Sequence, residues 1–256
     1  MEDALLSSIK PLLKRMLPAG IYRVWWRAKI WLSEKKMKNL DRAAVFDTIY
    51  RDRLWGGSQL SGHGSVGEHA TTYIDFIRQF AEENLVRTIL DVGCGDFEIG
   101  SRICNSVDQY FAADVSTVII EKNKSTYKTI ENTKFLCLDL CSDPLPAADL
   151  ITVREVLQHL SNADICFALN NIERSGARFA LITEHLPGDK LLVAPNVDKA
   201  SGSHIRNFFG SGVYIDRAPF NRPKRDVLSV MHPTFATTPS YLVTSLWDLQ
   251  RRRNAP

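Results

Sequence analysis

Apolar residues recur along the chain at two spacings, which predict strands and helices in alternation. Five short apolar runs have the length of buried strands: 89–92, 110–114, 133–138, 149–153 and 180–183. Segments with helical spacing separate them; one spans 118–130, and another is expected to begin at Asp96. Further on, 227–231 and 241–247 alternate with period two in part, which is typical of an antiparallel hairpin. The pattern predicts an α/β chain with a doubly wound parallel sheet.

Residues 1–42 differ from the rest of the chain in charge. They hold 10 Lys or Arg against 4 Asp or Glu, whereas the whole chain has a formal net charge of +3. Apolar residues recur there at helical spacing, and Trp25, Trp26 and Trp31 are interleaved with basic residues. Three interpretations stay open: a helical extension lying in a membrane interface, an arm packed on the domain or on a second subunit, and a platform for stacking nucleic-acid bases. The remaining chain is mildly acidic before its basic end, so we predict no nucleic-acid partner.

The cysteines and the hydropathy of the chain indicate the cellular compartment in which the protein is expected. Five cysteines without a C-x-x-C pair are typical of reduced thiols in a cytosolic protein, rather than of disulfides or a zinc site. The chain has no apolar run of about 18 residues, and its start does not resemble a cleaved signal peptide. We therefore expect a cytoplasmic protein. Peripheral contact with the inner face of the membrane would follow from the first interpretation of residues 1–42.

The stretch TILDVGCGDFEIG, residues 88–100, carries the most specific motif. A buried strand ends in Gly93 and Gly95, which permit backbone angles that a side chain would block and allow a ligand to come close. The spacing is not the G-x-G-x-x-G of dinucleotide-binding proteins. It closely resembles motif I of the class I S-adenosylmethionine-dependent methyltransferases, (V/I)LDxGCGxG. The sequence departs from that family at Asp96 and Phe97, where a third glycine is common.

The resemblance implies a cofactor site for S-adenosylmethionine at the carboxyl ends of the strands. Asp114 ends the second predicted strand, where an acid can accept both ribose hydroxyls of a nucleoside. Asp139 and Leu140 follow the third strand, and the resemblance places them at the adenine amino group and the adenine ring. With Asp91 and the two glycines, the candidate cofactor contacts also include Trp55, Val115 and Arg154.

The resemblance covers roughly residues 43–249 and implies a Rossmann-like, seven-stranded sheet with a closing antiparallel hairpin, after the helical extension of residues 1–42. Within it we expect a helical cap and lid over 43–86, a cofactor-binding core over 87–188, a substrate loop over 189–226 and the hairpin over 227–249. The glycine-rich stretch 55–69 is the predicted lid, with a flexible linker as the alternative. The pattern IYRxxxWGG…LSGxGS also resembles bacterial methyltransferases encoded with polysaccharide-building enzymes.

Two histidines at predicted strand ends are candidate bases for an attacking hydroxyl. His159 follows the fourth strand and His185 the fifth, and a neutral imidazole accepts a proton at physiological pH. Each could instead only shape the pocket; His63, His69 and His204 are weaker candidates. No stretch resembles the magnesium site of catechol-type methyltransferases or the N-P-P-Y motif of amino-group methyltransferases, so we predict no metal and an oxygen acceptor.

These residues predict an O-methyltransferase acting on a sugar hydroxyl in glycan or polysaccharide assembly. The expected partners are a sugar or glycan acceptor, including a lipid-linked one, and a second copy of the chain. Two alternatives stay open: an O-methyltransferase for a small aromatic or polyketide metabolite, and a cofactor-binding scaffold without catalysis. Intact Asp91, Gly93, Gly95, Asp114 and Asp139 argue against the scaffold.

Overall fold

A computed structural model describes residues 37, 39–55, 60–61, 63–188, 192–232 and 240–250. The chain from Asp41 onward forms one compact unit. The predicted helical extension over residues 1–42 falls almost wholly outside the described residues. Within the described residues, no helix is both long and apolar enough to cross a membrane.

The described residues contain a seven-stranded mixed sheet in the order β3-β2-β1-β4-β5-β7-β6. The first five strands in this order are parallel, and β7 runs antiparallel to both β5 and β6. This confirms the predicted Rossmann-like α/β sheet with its closing hairpin. The strands are β1 (Thr88–Val92), β2 (Gln109–Asp114), β3 (Thr133–Cys137), β4 (Leu150–Arg154), β5 (Phe179–Pro187), β6 (Arg225–His232) and β7 (Ser240–Asp248).

Five α-helices accompany the sheet among the described residues: α1 (Arg42–Arg51), α2 (Glu68–Glu83), α3 (Gly100–Ile103), α4 (Thr117–Thr126) and α5 (Asn162–Arg174). Side-chain oxygens of Asp41, Ser116 and Ser161 accept hydrogen bonds from backbone amides at the starts of α1, α4 and α5. Such caps satisfy amide groups that have no partner inside the helix, so they fix where each helix begins.

The helix predicted to begin at Asp96 is wrong in its extent, because only Gly100–Ile103 is α-helical. Phe97 has a φ of 62°, which interrupts any right-handed helix at that point. Its ring is fully buried and makes edge contacts with Tyr110, Tyr127 and Phe135 at centroid distances of 5.7, 5.1 and 4.9 Å. Burial of this ring in an aromatic cluster compensates for the unfavourable backbone angle.

The predicted end of the fifth strand is also wrong. Glu184 and His185 were expected to leave the sheet, but they lie inside β5, opposite Val243 and Leu242 of β7. The antiparallel partner extends the hydrogen-bonded ladder as far as Pro187. Glu184 and His185 therefore point to opposite faces of the sheet, as neighbours in a strand must.

Candidate active site

The turn after β1 has the backbone that its two glycines permit. Gly93 and Gly95 have φ values of 79° and 54°. A Cβ at Gly93 would overlap the side chain of Val156, and one at Gly95 would overlap the hydroxyl of Ser61. The amides of Gly93 and Cys94 both donate to the carbonyl of Ala113, at 2.8 and 3.0 Å. Both glycines are therefore required by conformation and by space, and the turn is tied to β2.

Two of the predicted acids lie buried beside this turn. Asp91 accepts a hydrogen bond from the hydroxyl of Thr152 at 2.9 Å. Asp114 accepts from the amides of Gly95 and Ser116 at 3.2 and 3.0 Å. Burial raises the pKa of each carboxyl to about 6, while these hydrogen bonds lower it. Both carboxylates are therefore largely ionised at pH 7 and remain strong acceptors.

Helix α1, which belongs to the predicted helical cap, makes polar contacts with residues at the end of β2 and after β3, and these contacts were not predicted. The hydroxyl of Tyr50 donates to Asp114 at 3.2 Å, and Arg42 donates to the carboxylates of Asp139 at 2.8 Å and Asp164 at 2.7 Å. Asp47 accepts from the hydroxyl of Ser116 at 2.6 Å. A sequence signal was present, because Arg42 falls on the same helical stripe as the apolar residues four and seven positions later.

The described part of the predicted lid rests on the glycine turn. The carboxylate of Asp96 accepts from the amides of Leu60 and Ser61, at 3.1 and 3.4 Å, and from the Ser61 hydroxyl at 2.8 Å. Arg154 donates to the carbonyl of Gly64 at 2.6 Å. Asp96, one of the two residues that depart from the motif, therefore anchors residues 60–61. Whether this segment acts as a lid stays a prediction.

His159 lies in a single 3₁₀ turn, Leu157–His159, after β4. Its ring contacts that of Trp55 at a centroid distance of 5.1 Å, and Trp55 in turn contacts Tyr50 at 5.2 Å. Because Tyr50 bonds Asp114, one chain of contacts joins the candidate base to the predicted ribose-binding acid. Burial lowers the pKa of His159 to about 3, and the charge of Lys199 adds to this. The ring is therefore neutral at pH 7.

His185, the second candidate base, belongs to a different group. Its Nε2 lies 2.7 Å from the hydroxyl of Ser240, and its ring contacts His232 at 4.8 Å. His232 contacts His69 of α2 at 4.7 Å. Burial lowers the pKa of His185, and that of His232 to about 4. Among the described residues, no group of three or more His, Cys, Asp or Glu is arranged to hold a metal ion.

The remaining predicted cofactor contacts lie at the same edge of the sheet. Val115 is half-buried directly after Asp114, and Leu140 is buried directly after Asp139. Arg154 ends β4, where its guanidinium bonds Glu155 at 2.7 Å and lies 4.8 Å from the ring centre of Tyr73. The structure thus brings the predicted residues to the ends of β1 to β4, and it engages Asp139 and Asp114 with protein donors as well.

Residues 89–176 match the family model described as a methyltransferase domain. This stretch, about a third of the chain, is similar to a methyltransferase domain. A search of curated proteins found no match to the chain.

Two solved methyltransferase structures show the same fold as this chain. The N-methyltransferase NodS from Bradyrhizobium japonicum, in complex with S-adenosyl-L-homocysteine, is 13% identical, with a TM-score of 0.55 over 78% of this chain and 98% of its own. Magnesium protoporphyrin IX methyltransferase (ChlM) from Synechocystis, with bound S-adenosylmethionine, is 15% identical, with a TM-score of 0.50 over 81% of this chain and 97% of its own. At these identities the likeness establishes the fold alone.

Proposed function

We propose that the protein is an S-adenosylmethionine-dependent O-methyltransferase whose acceptor is a sugar hydroxyl in glycan or polysaccharide assembly. The observation that carries the proposal is the chain of contacts from Asp114 through Tyr50 and Trp55 to His159. It connects the predicted cofactor-binding acid with a buried, neutral imidazole after β4. A hydroxyl acceptor needs such a base more than an amine or a thiolate does.

The residues at the strand ends fit the cofactor. Asp114 would hold the ribose: its two oxygens offer about four acceptor positions, the described contacts use three, and displacement of the Tyr50 hydroxyl would free the second position that a ribose needs. Asp139 and Leu140 would face the adenine, and Gly93 and Gly95 let the backbone come close. When bound, S-adenosylmethionine supplies a methyl group on a sulfonium, already activated for displacement. The protein's own task is mainly to orient the acceptor, which is worth effective molarities of roughly 10⁵–10⁸ M.

The hydrogen bond of His159 determines which nitrogen is free to act. Nδ1 lies 3.2 Å from the carbonyl of Gly202, and a carbonyl only accepts, so Nδ1 carries the proton. Nε2 then holds the lone pair that can receive the acceptor proton. A ring with a pKa of about 3 is a weak base. It takes the proton late, as the oxygen loses electron density to the methyl group, because a protonated ether is a far stronger acid than an imidazolium.

The sugar acceptor rests on the resemblance of residues 49–65 to methyltransferases of polysaccharide assembly. A small aromatic acceptor is the second candidate, and the aromatic contacts of Trp55 with Phe46 and Tyr50 favour it. Mass spectrometry of surface glycans from cells with and without the protein separates the two. Loss of one methyl group per repeating unit supports the sugar, whereas unchanged glycans favour the small metabolite.

We expect His159→Ala to lower turnover by about 10²–10⁴-fold, because the acceptor hydroxyl then loses its proton acceptor. Affinity for S-adenosylhomocysteine should change little. Glycan methylation in cells that express the variant in place of the wild type measures the first effect, and calorimetry measures the second. Phe167→Ala, at an exposed position of α5, is the control. Normal methylation by His159→Ala would transfer the base role to His185 or to another group.

Peripheral membrane contact through residues 1–42 remains part of the proposal. The support is the surplus of basic residues and the three tryptophans in that segment. Flotation with anionic liposomes should carry the full chain upward and leave a chain without residues 1–42 in the soluble fraction. If neither chain floats, the segment is better explained as an arm that packs on the domain or on a second copy.

A further inference from the structure

The short turn that presents His159 is held from two sides by the buried side chains of Arg206 and Glu184. Arg206 donates to the carbonyls of Leu157, Gln158 and Leu160, at 3.1, 3.2 and 2.7 Å. Glu184 of β5 accepts from the amide of Leu157 at 3.1 Å. The backbone of the turn is thus bonded through its carbonyls to one side chain and through an amide to the other.

Both side chains are almost completely shielded from solvent. Arg206 is 1% exposed and Glu184 is 3% exposed. Arg206 also donates to the carbonyl of Val197 at 3.0 Å and to Asn162 at 2.9 Å, so all five of its N–H groups have partners. A buried guanidinium is tolerated only when its donors are satisfied. The buried position of Arg206 therefore requires this conformation of the 157–160 turn, and the turn is itself stabilised by Arg206.

The segment before Arg206 also fixes the ring of His159. The amide of Gly202 donates to the carbonyl of His159 at 2.9 Å, while the carbonyl of Gly202 faces His159 Nδ1 at 3.2 Å. The hydroxyl of Ser201 accepts from the amide of Ser161 at 2.8 Å. Residues 197–206 thus contact the base by backbone groups on one side, and Arg206 secures the end of the same segment.

We propose that Arg206 and Glu184 are positioning residues that set the orientation and the tautomer of His159. Arg206 and Glu184 together form the His159 clamp. This inference rests on the proposed function for its catalytic consequence, but the geometry of the clamp is testable without any acceptor. Under this proposal, the irregular segment after β5 that is predicted to contact substrate also holds His159 with Nε2 available.

Nitrogen-15 NMR of the histidines tests the clamp directly, because the ring shifts report which nitrogen carries the proton. The chain has six histidines, and His159→Gln assigns the signal. In the full wild-type chain we expect one dominant tautomer with Nδ1 protonated. Arg206→Met keeps the length of the side chain and removes its donors, so the signal should change to a mixture of tautomers with a raised pKa. Arg206→Lys should lie between the two.

Two further variants make the result specific. Glu184→Gln keeps an oxygen acceptor for the Leu157 amide and should preserve the tautomer, whereas Glu184→Leu should not. Arg222→Met is the matched control, because this partly buried arginine of the predicted substrate loop bonds Asn170 and Glu173 of α5. If Arg206→Met does not fold, Arg206→Lys and Glu184→Leu carry the test. A folded clamp variant that keeps the wild-type tautomer and titration would overturn the proposal.

Glycan methylation in cells separates this proposal from the proposed function. Misplacement of the base should lower methylation by about 10²-fold in Arg206→Met and little in Arg222→Met. If the tautomer changes as expected and methylation does not, the clamp holds and His159 is not the base. If His159→Ala abolishes methylation but the clamp variants leave both tautomer and methylation intact, His159 is the base and the positioning role of Arg206 and Glu184 is overturned.

Discussion

Asp114 accepts so many hydrogen bonds from the protein that too few acceptor positions are left for a ribose. Its oxygens accept from Gly95, Ser116 and Tyr50. About one acceptor position is left, yet the two hydroxyls of a ribose require two. Binding of the cofactor should therefore displace one donor. Tyr50 is the one that can move, since the other two are backbone amides of the turn and of the start of α4.

The expected consequence is that Tyr50→Phe binds S-adenosylhomocysteine more tightly. Removing a donor that competes with the ribose is worth about 0.5–1.5 kcal/mol, which is roughly 2- to 10-fold in affinity. Calorimetry measures the change, and Tyr241→Phe at an exposed site in β7 is the control. Weaker binding by Tyr50→Phe would mean that the hydroxyl stays and contacts the cofactor.

Among the elements, the segment anchored by Asp96 depends on a few polar contacts. Residues 60–61 bond the Asp96 carboxylate, and Gly64 bonds Arg154. Apolar packing of Leu60 near Tyr50 adds to this. An element with few such contacts opens locally at a low free-energy cost. This is the behaviour that the sequence predicts for a lid over the glycine turn.

Asp96→Ala should release that segment without unfolding the sheet. Loss of an anchoring carboxylate is expected to lower the local opening free energy by about 1–3 kcal/mol. Hydrogen exchange of the amides of Leu60 and Ser61 should then be faster, and exchange in β1 should not. Glu98→Ala, two residues later and exposed, serves as the control. Unchanged exchange at both amides would show that the anchor lies elsewhere.

The sequence predicted elements well where burial alone decides them, and poorly where a partner decides them. The apolar run of β1 and the glycines that follow were sufficient to place the turn, because a buried strand and a tight exit leave few alternatives. The length of β5 depends on pairing with β7, about 60 residues away, so Glu184 and His185 were misplaced. Phe97 looked helical because its left-handed φ is set by aromatic contacts that no local pattern encodes.

The same limit applies to the candidate site. Asp114 and Asp139 were found because they follow predicted strands, and strand ends meet at one edge of a parallel sheet. Arg42, Tyr50 and Arg206 were missed because each reaches the site from a distant segment. Their roles depend on tertiary contacts. The periodic pattern of the chain predicts on which face of a helix a residue lies, or that it lies in a loop, but not what it contacts.

At the scale of the whole molecule, buried titratable groups make stability depend on pH in both directions. Burial depresses the pKa of His159 to about 3 from an ordinary 6.5. The folded state therefore binds fewer protons than the unfolded chain below pH 6.5, and stability is lost as the pH falls toward 3. Burial raises the pKa of Glu184 to about 8 from 4.5. Glu184 has the opposite effect, because its contribution to the free energy of unfolding declines as the pH rises from 4.5 to 8.

Between pH 6 and 4 the buried histidines lower the free energy of unfolding as the pH falls, whereas Asp91, Asp114 and Glu184, whose pKa values are raised, increase it, so the test compares the wild type with a His159 variant. Each buried neutral histidine contributes up to about 1.4 kcal/mol per pH unit in this range. His159→Gln removes one such group, so the change in its free energy of unfolding from pH 6 to pH 4 should be more favourable to the folded state than in the wild type. Urea unfolding at pH 6, 5 and 4 measures the slopes. Equal slopes would mean that His159 is protonated as readily in the folded protein as in the unfolded chain.

We propose that the ends of β1, β2 and β3 hold S-adenosylmethionine, and titration calorimetry with S-adenosylhomocysteine is the decisive test. We predict saturable binding of one molecule per chain. Asp114→Ala should weaken it by about 10- to 100-fold, as expected for lost hydrogen bonds to a charged acceptor. Asp108→Ala at an exposed position should bind like the wild type. Absence of heat, together with a melting temperature that the ligand does not change, would contradict the account.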